Sequence, residues 1–267
     1  MSDERQPARL HLASALVGGV IGALVAGLTV WALVGNDSSE SQTRVEPPSH
    51  VVTISSPDVS QTLGEPVELT SFGAPELPEG ESGQVSIVAR GRFDRLSGIM
   101  PLILRNNTDG SLTRLTVSAD ARNPAGNLIA SGEDQGFTPN LVPPGGLALG
   151  YAYFGDADLP AGTKVSFETG GSPADNPTES IRDLELAEVS LIGGRIVGAV
   201  RNQGDTEVAG PIGMSFMCFA SDGGILQYEY TFANKDQLPA GGSATFGLDL
   251  LGDKCPAFLA GASGFTS

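Results

Sequence analysis

From about residue 84 the sequence repeats itself at a spacing of 96. Gly98 matches Gly194, Arg105-Asn106 matches Arg201-Asn202, and Asp109 matches Asp205. Further along, Pro143 matches Pro239, Gly145 matches Gly241, and Pro160-Ala161 matches Pro256-Ala257. Gly126-Asn127-Leu128-Ile129 matches Gly223-Gly224-Ile225-Leu226 at 97, which implies one small insertion. Turn residues that recur at both ends of a unit define two homologous domains, 84–170 and 180–267.

Each unit reads as strands. Leu115-Val117-Ala119-Ala121 and Leu147-Leu149-Tyr151-Tyr153 alternate with period two in the first, as half-buried strands do. Ile196-Gly198-Val200, Met214-Phe216-Cys218 and Phe246-Leu248-Leu250 do so in the second. Loops such as Pro143-Pro144-Gly145-Gly146 and Pro239-Ala240-Gly241-Gly242 interrupt the pattern. With 36 glycines, 18 prolines and only 17% charged residues, the composition suits turn-rich β-structure. Six or seven strands in roughly 85 residues predict a two-sheet sandwich of immunoglobulin-like type. The expected fold class is therefore mainly β: two tandem immunoglobulin-like β-sandwich domains after an N-terminal transmembrane helix and a disordered linker.

Three short stretches in each copy carry a family resemblance. They are Asn106-Asn107-Thr108, Ala125-Gly126-Asn127-Leu128-Ile129 and Leu141-Val142-Pro143-Pro144-Gly145 in the first. In the second they are Asn202-Gln203-Gly204, Asp222-Gly223-Gly224-Ile225-Leu226 and Leu238-Pro239-Ala240-Gly241. Over about 95–255 the chain resembles the FxLYD-type domain. The resemblance implies an envelope-exposed β-sandwich and transfers no catalytic residue.

Residues 12–34, LASALVGGVIGALVAGLTVWALV, hold no charge. A helix of that length spans roughly 35 Å, enough for a hydrocarbon core of about 30 Å. A cleaved signal peptide has a shorter apolar core, about 7–15 residues, and Val30-Trp31-Ala32 is a poor small-x-small cleavage site. The reading is a retained single-pass anchor. Arg5 and Arg9 precede it and Arg44 follows, which places the 1–11 tail in the cytoplasm and the domains outside the cell membrane. Three lysines against twelve arginines point to a high-GC bacterial genome. Gly18, Gly22 and Ala26 recur every four residues, a stripe for helix packing and homodimerisation. Residues 36–83 are polar and acidic with Pro47, Pro48, Pro57, Pro66, Pro75 and Pro78, and predict an extended tether. Val51–Ile54 and Val67–Leu69 are short β-prone runs able to pair with the domain that follows.

The charge balance, 31 acidic against 15 basic side chains, excludes a nucleic-acid binder. His11 and His50 both precede the repeats, so neither domain can hold a Ser-His-Asp or Cys-His arrangement. No phosphate loop, dinucleotide fingerprint or zinc motif occurs, and no cofactor is expected. Carboxylate pairs such as Glu133/Asp134 and Asp156/Asp158 read as solvated loop residues. Arg90, Arg92, Arg95 and Arg105, with Arg114 and Arg122, make the first domain locally basic, a candidate anion-binding patch for lipid head groups or wall polymers. The competing reading pairs them with the acidic second domain or leaves them solvated. Cys218 and Cys255 are disulfide candidates, since Cys218 shares a face with Met214 and Phe216 and both would lie outside the cytoplasm.

These features lead to a non-enzymatic single-pass cell-envelope protein presenting two domains for binding or scaffolding. The alternative is an accessory or sensor subunit of a larger membrane complex, docked through its helix. The expected partners are the membrane, an envelope protein or polymer, and a second copy through the helix. A fragment from about residue 84 is expected to fold without the anchor.

Overall fold

Period-two alternation in the sequence becomes opposed inner and outer faces once the strands pair. The computed structural model describes residues 66–174, 180–250 and 255–266, within a compact unit that spans 57–267. The tail, the apolar segment with Gly18, Gly22 and Ala26, and the linker as far as residue 65 lie outside the described residues. Among the described residues no helix is long and apolar enough to cross a membrane, and the fold is mainly β.

A short first strand, β1 (Thr70–Phe72), precedes two sheets. In the first half, β2 (Val85–Arg90), β3 (Ile99–Asn106), β4 (Leu112–Arg122), β5 (Leu128–Asp134), β6 (Leu147–Tyr153) and β7 (Lys164–Pro173) form one sheet in the order β2-β3-β6-β5-β4-β7. In the second half, β8 (Ile181–Ile192), β9 (Arg195–Arg201), β10 (Val208–Phe219), β11 (Ile225–Phe232), β13 (Ser243–Asp249) and β14 (Ala257–Thr266) run β11-β10-β14-β8-β9-β13. The two-residue β12 (Gln237–Leu238) pairs with β10, and β1 pairs with β14.

Both halves are built from the same two strand triplets, β2-β3-β6 with β5-β4-β7 and β8-β9-β13 with β11-β10-β14. They join at opposite seams. In the first half β5 pairs with β6 (Glu133↔Tyr153, Asp134↔Ala152), while Thr169 Oγ1 donates to Val85 O (2.6 Å) across the other seam. In the second half β14 pairs with β8, from Ala262↔Leu184 to Phe265↔Ile181. There Thr231 Oγ1 donates to Gly247 O (3.2 Å) across the remaining seam. The alternating rows fill each core: Leu115, Val117, Ala119 and Ala121 in the first, and Ile196, Val200, Met214, Phe216 and Phe246 in the second.

The repeated turn residues hold equivalent positions. Gly98 (φ 70°) and Gly194 (φ 80°) turn the β2–β3 and β8–β9 hairpins in a backbone region that L side chains avoid. Their carbonyls accept from Phe154 N (2.8 Å) and Leu250 N (2.9 Å), again equivalent residues. Asn106 and Asn202, which carried the family resemblance, are buried loop clamps. Asn106 Nδ2 donates to Gly110 O (2.8 Å) and Val142 O (2.9 Å), and its Oδ1 accepts from Thr108 N (3.0 Å). Asn202 does the same toward Thr206 O (2.8 Å), Leu238 O (3.0 Å) and Gly204 N (3.0 Å). Truncation removes the three hydrogen bonds by which each asparagine ties its loop to the buried Val142 or Leu238. Asn106→Ala and Asn202→Ala are each expected to cost about 2–3 kcal/mol in urea unfolding. A loss under about 0.5 kcal/mol would show that water replaces the clamp.

A third apolar cluster joins the halves. Val88, Ile103 and Leu149 meet Met217, Phe219, Ala257 and Leu259. The row Leu147-Leu149-Tyr151-Tyr153 therefore covers the second half, while Ala148 and Ala152 line the first half's own core. Polar ties reinforce the junction. Asp183 accepts from Asn140 N at Oδ1 (2.6 Å) and from Leu141 N at Oδ2 (2.8 Å).

The extended-tether expectation over 36–83 is corrected for its last part. Thr70–Phe72 pairs with Phe258–Ala260 of β14, and Leu69, Ala74 and Leu77 pack into the junction cluster. The Phe72 ring stacks on Phe258, with centroids 5.4 Å apart. These residues form a strap that touches both halves, because their spaced apolar side chains fit the junction cluster despite the surrounding prolines.

Candidate functional site

All four tyrosines of the chain gather where the two halves diverge. On β6, Tyr151 and Tyr153 continue the outward row that begins with the buried Leu149. On β11, Tyr228, Tyr230 and Phe232 point to the face that carries Met217 and Ser215, because β11 lies in register with β10 through Met217↔Tyr228 and Ser215↔Tyr230. Tyr151 meets Tyr228 edge-to-face at 5.1 Å, and Tyr230 meets Phe232 at 5.0 Å with planes 88° apart. The inner end is fixed by a hydrogen bond of 2.9 Å between Tyr228 Oη and Ser215 Oγ, and Ser215 Oγ donates to Thr138 Oγ1 (3.4 Å) of the first half. Gly213 leaves room for this wall, since a Cβ there would meet the Tyr230 hydroxyl at 1.7 Å and displace the ring.

The outer end is open to solvent. Tyr153 is 43% exposed, Tyr230 46% and Phe232 55%. Glu133, an exposed carboxylate, sits opposite Tyr153 in the β5–β6 ladder. β5, β6, β10 and β11 carry no lysine or arginine. The arrangement is an aromatic wedge with one carboxylate, Glu133, at its open end.

Burial raises the phenol pKa of Tyr228 strongly, against a smaller opposing effect of the Ser215 hydrogen bond. Burial also raises Tyr151, with Tyr153 adding to it, and raises Tyr230, with Tyr151 adding to it. A phenol whose folded pKa lies above its unfolded value contributes stability that is whole below pH 10 and is lost as pH rises further. Stability is therefore expected to fall above pH 10, and Tyr228→Phe is expected to flatten that decline. Urea unfolding between pH 8 and 11.5 checks this. Absorbance at 295 nm should show late ionisation in the folded protein and ordinary ionisation in urea; indistinguishable titrations would refute the burial argument.

Of the arginines expected in an anion-binding patch, Arg105 stands apart from Arg90 along the β2–β3 pair. Arg105 lies at the Asn106 end of β3, opposite Ser86, whereas Arg90 lies opposite Leu102. Arg105 donates to Leu77 O (3.2 Å), Pro78 O (3.2 Å) and Gly145 O (3.0 Å), which makes it the clamp of the strap. Arg90 lies over the Phe167 ring at 5.7 Å. Arg95 pairs with Asp158 at 2.6 Å, Arg122 pairs with Asp120 at 3.1 Å, and Arg92 is exposed. Sequence reasoning missed this because the acceptors are backbone carbonyls and rings from distant segments.

Cys218 and Cys255 are joined by a disulfide with Cα atoms 5.1 Å apart, inside the second core. Of the carboxylate pairs, Asp134 is held by Val117 N (2.8 Å) and Gly136 N (3.0 Å). With Glu133 and Glu168 it borders an open groove of about 380 Å³ beside the β4 bulge. Among the described residues no group of three or more His, Cys, Asp or Glu is placed to hold a metal ion. The wedge was the feature the sequence reading passed over. Its signal was present in two period-two aromatic rows, Tyr151/Tyr153 and Tyr228/Tyr230/Phe232.

No family model matches the chain, and no curated protein matches it. Among solved structures, that of red sea bream transglutaminase aligns at 9% identity over 74% of this chain and 27% of that one, with a TM-score of 0.17. A likeness that low carries no argument about fold or activity.

Proposed function

We propose that this is a non-enzymatic, single-pass cell-envelope protein that holds two immunoglobulin-like β-sandwich domains of FxLYD type outside the cytoplasm as a binding module. The observation that carries the reading is the aromatic wedge at the junction of the repeats. Exposed aromatics fixed at a rigid junction are characteristic of recognition surfaces. The Cys218–Cys255 bond supports an oxidising compartment, and the uncharged run 12–34 supports the anchor.

The test has two parts. An alkaline phosphatase fusion after residue 35 is expected to be active, and a cytosolic reporter there silent; the reverse would overturn the location. Crosslinking in membranes followed by pulldown is expected to recover a partner that is lost in Tyr230→Ala/Phe232→Ala. Loss on replacement of the 12–34 helix alone, with the wedge intact, would instead make the protein a subunit docked through its anchor.

A further inference from the structure

We infer that the aromatic wedge receives an arginine side chain from a basic segment of a partner protein. The inference rests on the binding-module reading and names the chemistry of its ligand. The two edge-to-face pairs set Tyr151 against Tyr228 and Tyr230 against Phe232. Ring faces carry negative quadrupole charge and attract cations, more so when partly shielded from water. The wedge is shielded at its inner end by the junction cluster and open where Tyr153, Tyr230 and Phe232 reach solvent.

Charge selects among ligands. Glu133 flanks Tyr153, and the wedge strands bring no lysine or arginine that would repel a cation. The chain's net charge of -16 steers cations toward it and disfavours anionic polymers. Arginine suits the site better than lysine. Its planar guanidinium stacks on rings, is more weakly hydrated, and has donors to spare for a phenol oxygen and a carboxylate at once.

The position of the tyrosines makes the test direct. Full-length protein in detergent micelles, labelled with 13C at the tyrosine rings, gives signals only from this wedge, since the chain has four tyrosines and all lie there. The probe is a capped Gly-Arg-Gly-Arg-Gly peptide; its citrulline counterpart keeps the shape without the charge. The expected result is a saturable shift of the Tyr153 and Tyr230 signals, with the citrulline peptide at least tenfold weaker. Tyr230→Leu is expected to weaken binding at least tenfold while the Tyr151 and Tyr228 signals stay in place, which certifies the fold. Glu133→Gln should weaken it less, and Asp205→Asn, outside the wedge, not at all.

Equal shifts with citrulline would overturn the cation argument. Binding that survives Tyr230→Leu would reveal generic attraction to an acidic protein and overturn the site. Shifts with a neutral β-glucan oligosaccharide but not with the peptide would overturn the ligand class while leaving the binding-module reading intact. A partner recovered by crosslinking with no effect of the peptide would do likewise.

Discussion

A fragment of residues 84–267 is expected to unfold at about 1.5 M lower urea than one of residues 57–267, because it lacks the strap. Removal uncovers Leu259 and Ala257 and takes away Leu69, Ala74 and Leu77 from the junction. It also ends the stack of Phe72 on Phe258 and the pairing of Thr70–Phe72 along β14. These side chains are half-buried, so each contributes less than the 1.5–3 kcal/mol of a fully buried large apolar residue, and together about 4 kcal/mol. Arg105 loses two of its three carbonyl acceptors as well. The shorter fragment still has both cores, so it should fold, but with greater exposure of the junction. Arg105→Ala in the longer fragment should lose part of the same stability. Coincident urea curves for the two fragments would show that the strap adds nothing.

How much of this was legible in the sequence differs by level. The repeat and the alternation located strands and inward rows well: Leu115 to Ala121, Ile196 to Val200 and Met214 to Cys218 all face cores. Burial of a second face was also written there, as nearly unbroken apolar runs. Met100 to Leu104 on β3 and Met214 to Phe219 on β10 leave few polar positions to face water. The row from Leu147 to Tyr153 shows the limit of periodicity, which identifies a buried face without saying which neighbour buries it. The strap was signalled only in part: Val67–Leu69 read as a β-prone run, yet the pairing falls on Thr70–Phe72 and the packing reaches Leu77. Leu69 and Leu77 are isolated apolar residues among prolines and glutamates, and only the groove between two folded halves gives them a place. The role of Arg105 was illegible because composition counts charges, whereas its guanidinium is consumed by backbone carbonyls that no local pattern announces. Equivalent positions in the two copies also diverge: Arg201, the counterpart of Arg105, lies 4.0 Å from Glu185.

Replacing both cysteines with alanine is expected to cost about 4 kcal/mol, since the bond closes a loop with a sequence separation of 37. For a folded unit of this size that corresponds to a fall of roughly 12 °C in Tm. The position of the bond makes the effect more than local. Cys255 stands two residues before β14, which pairs with β10 on one edge and with both β8 and β1 on the other. The bond therefore pins to β10 the strand on which the second sheet and the strap both depend. Cys218→Ala/Cys255→Ala and the reduced wild type should be about equally destabilised if the cross-link, rather than sulfur packing, is responsible. The strap and the bond act on the same strand, so removing both should cost less than the sum of the single losses. Intact-mass analysis after alkylation in denaturant without reductant should show no adduct. Two adducts would mean free thiols, and the expected loss of stability in the alanine variant would then shrink to that of two small buried side chains.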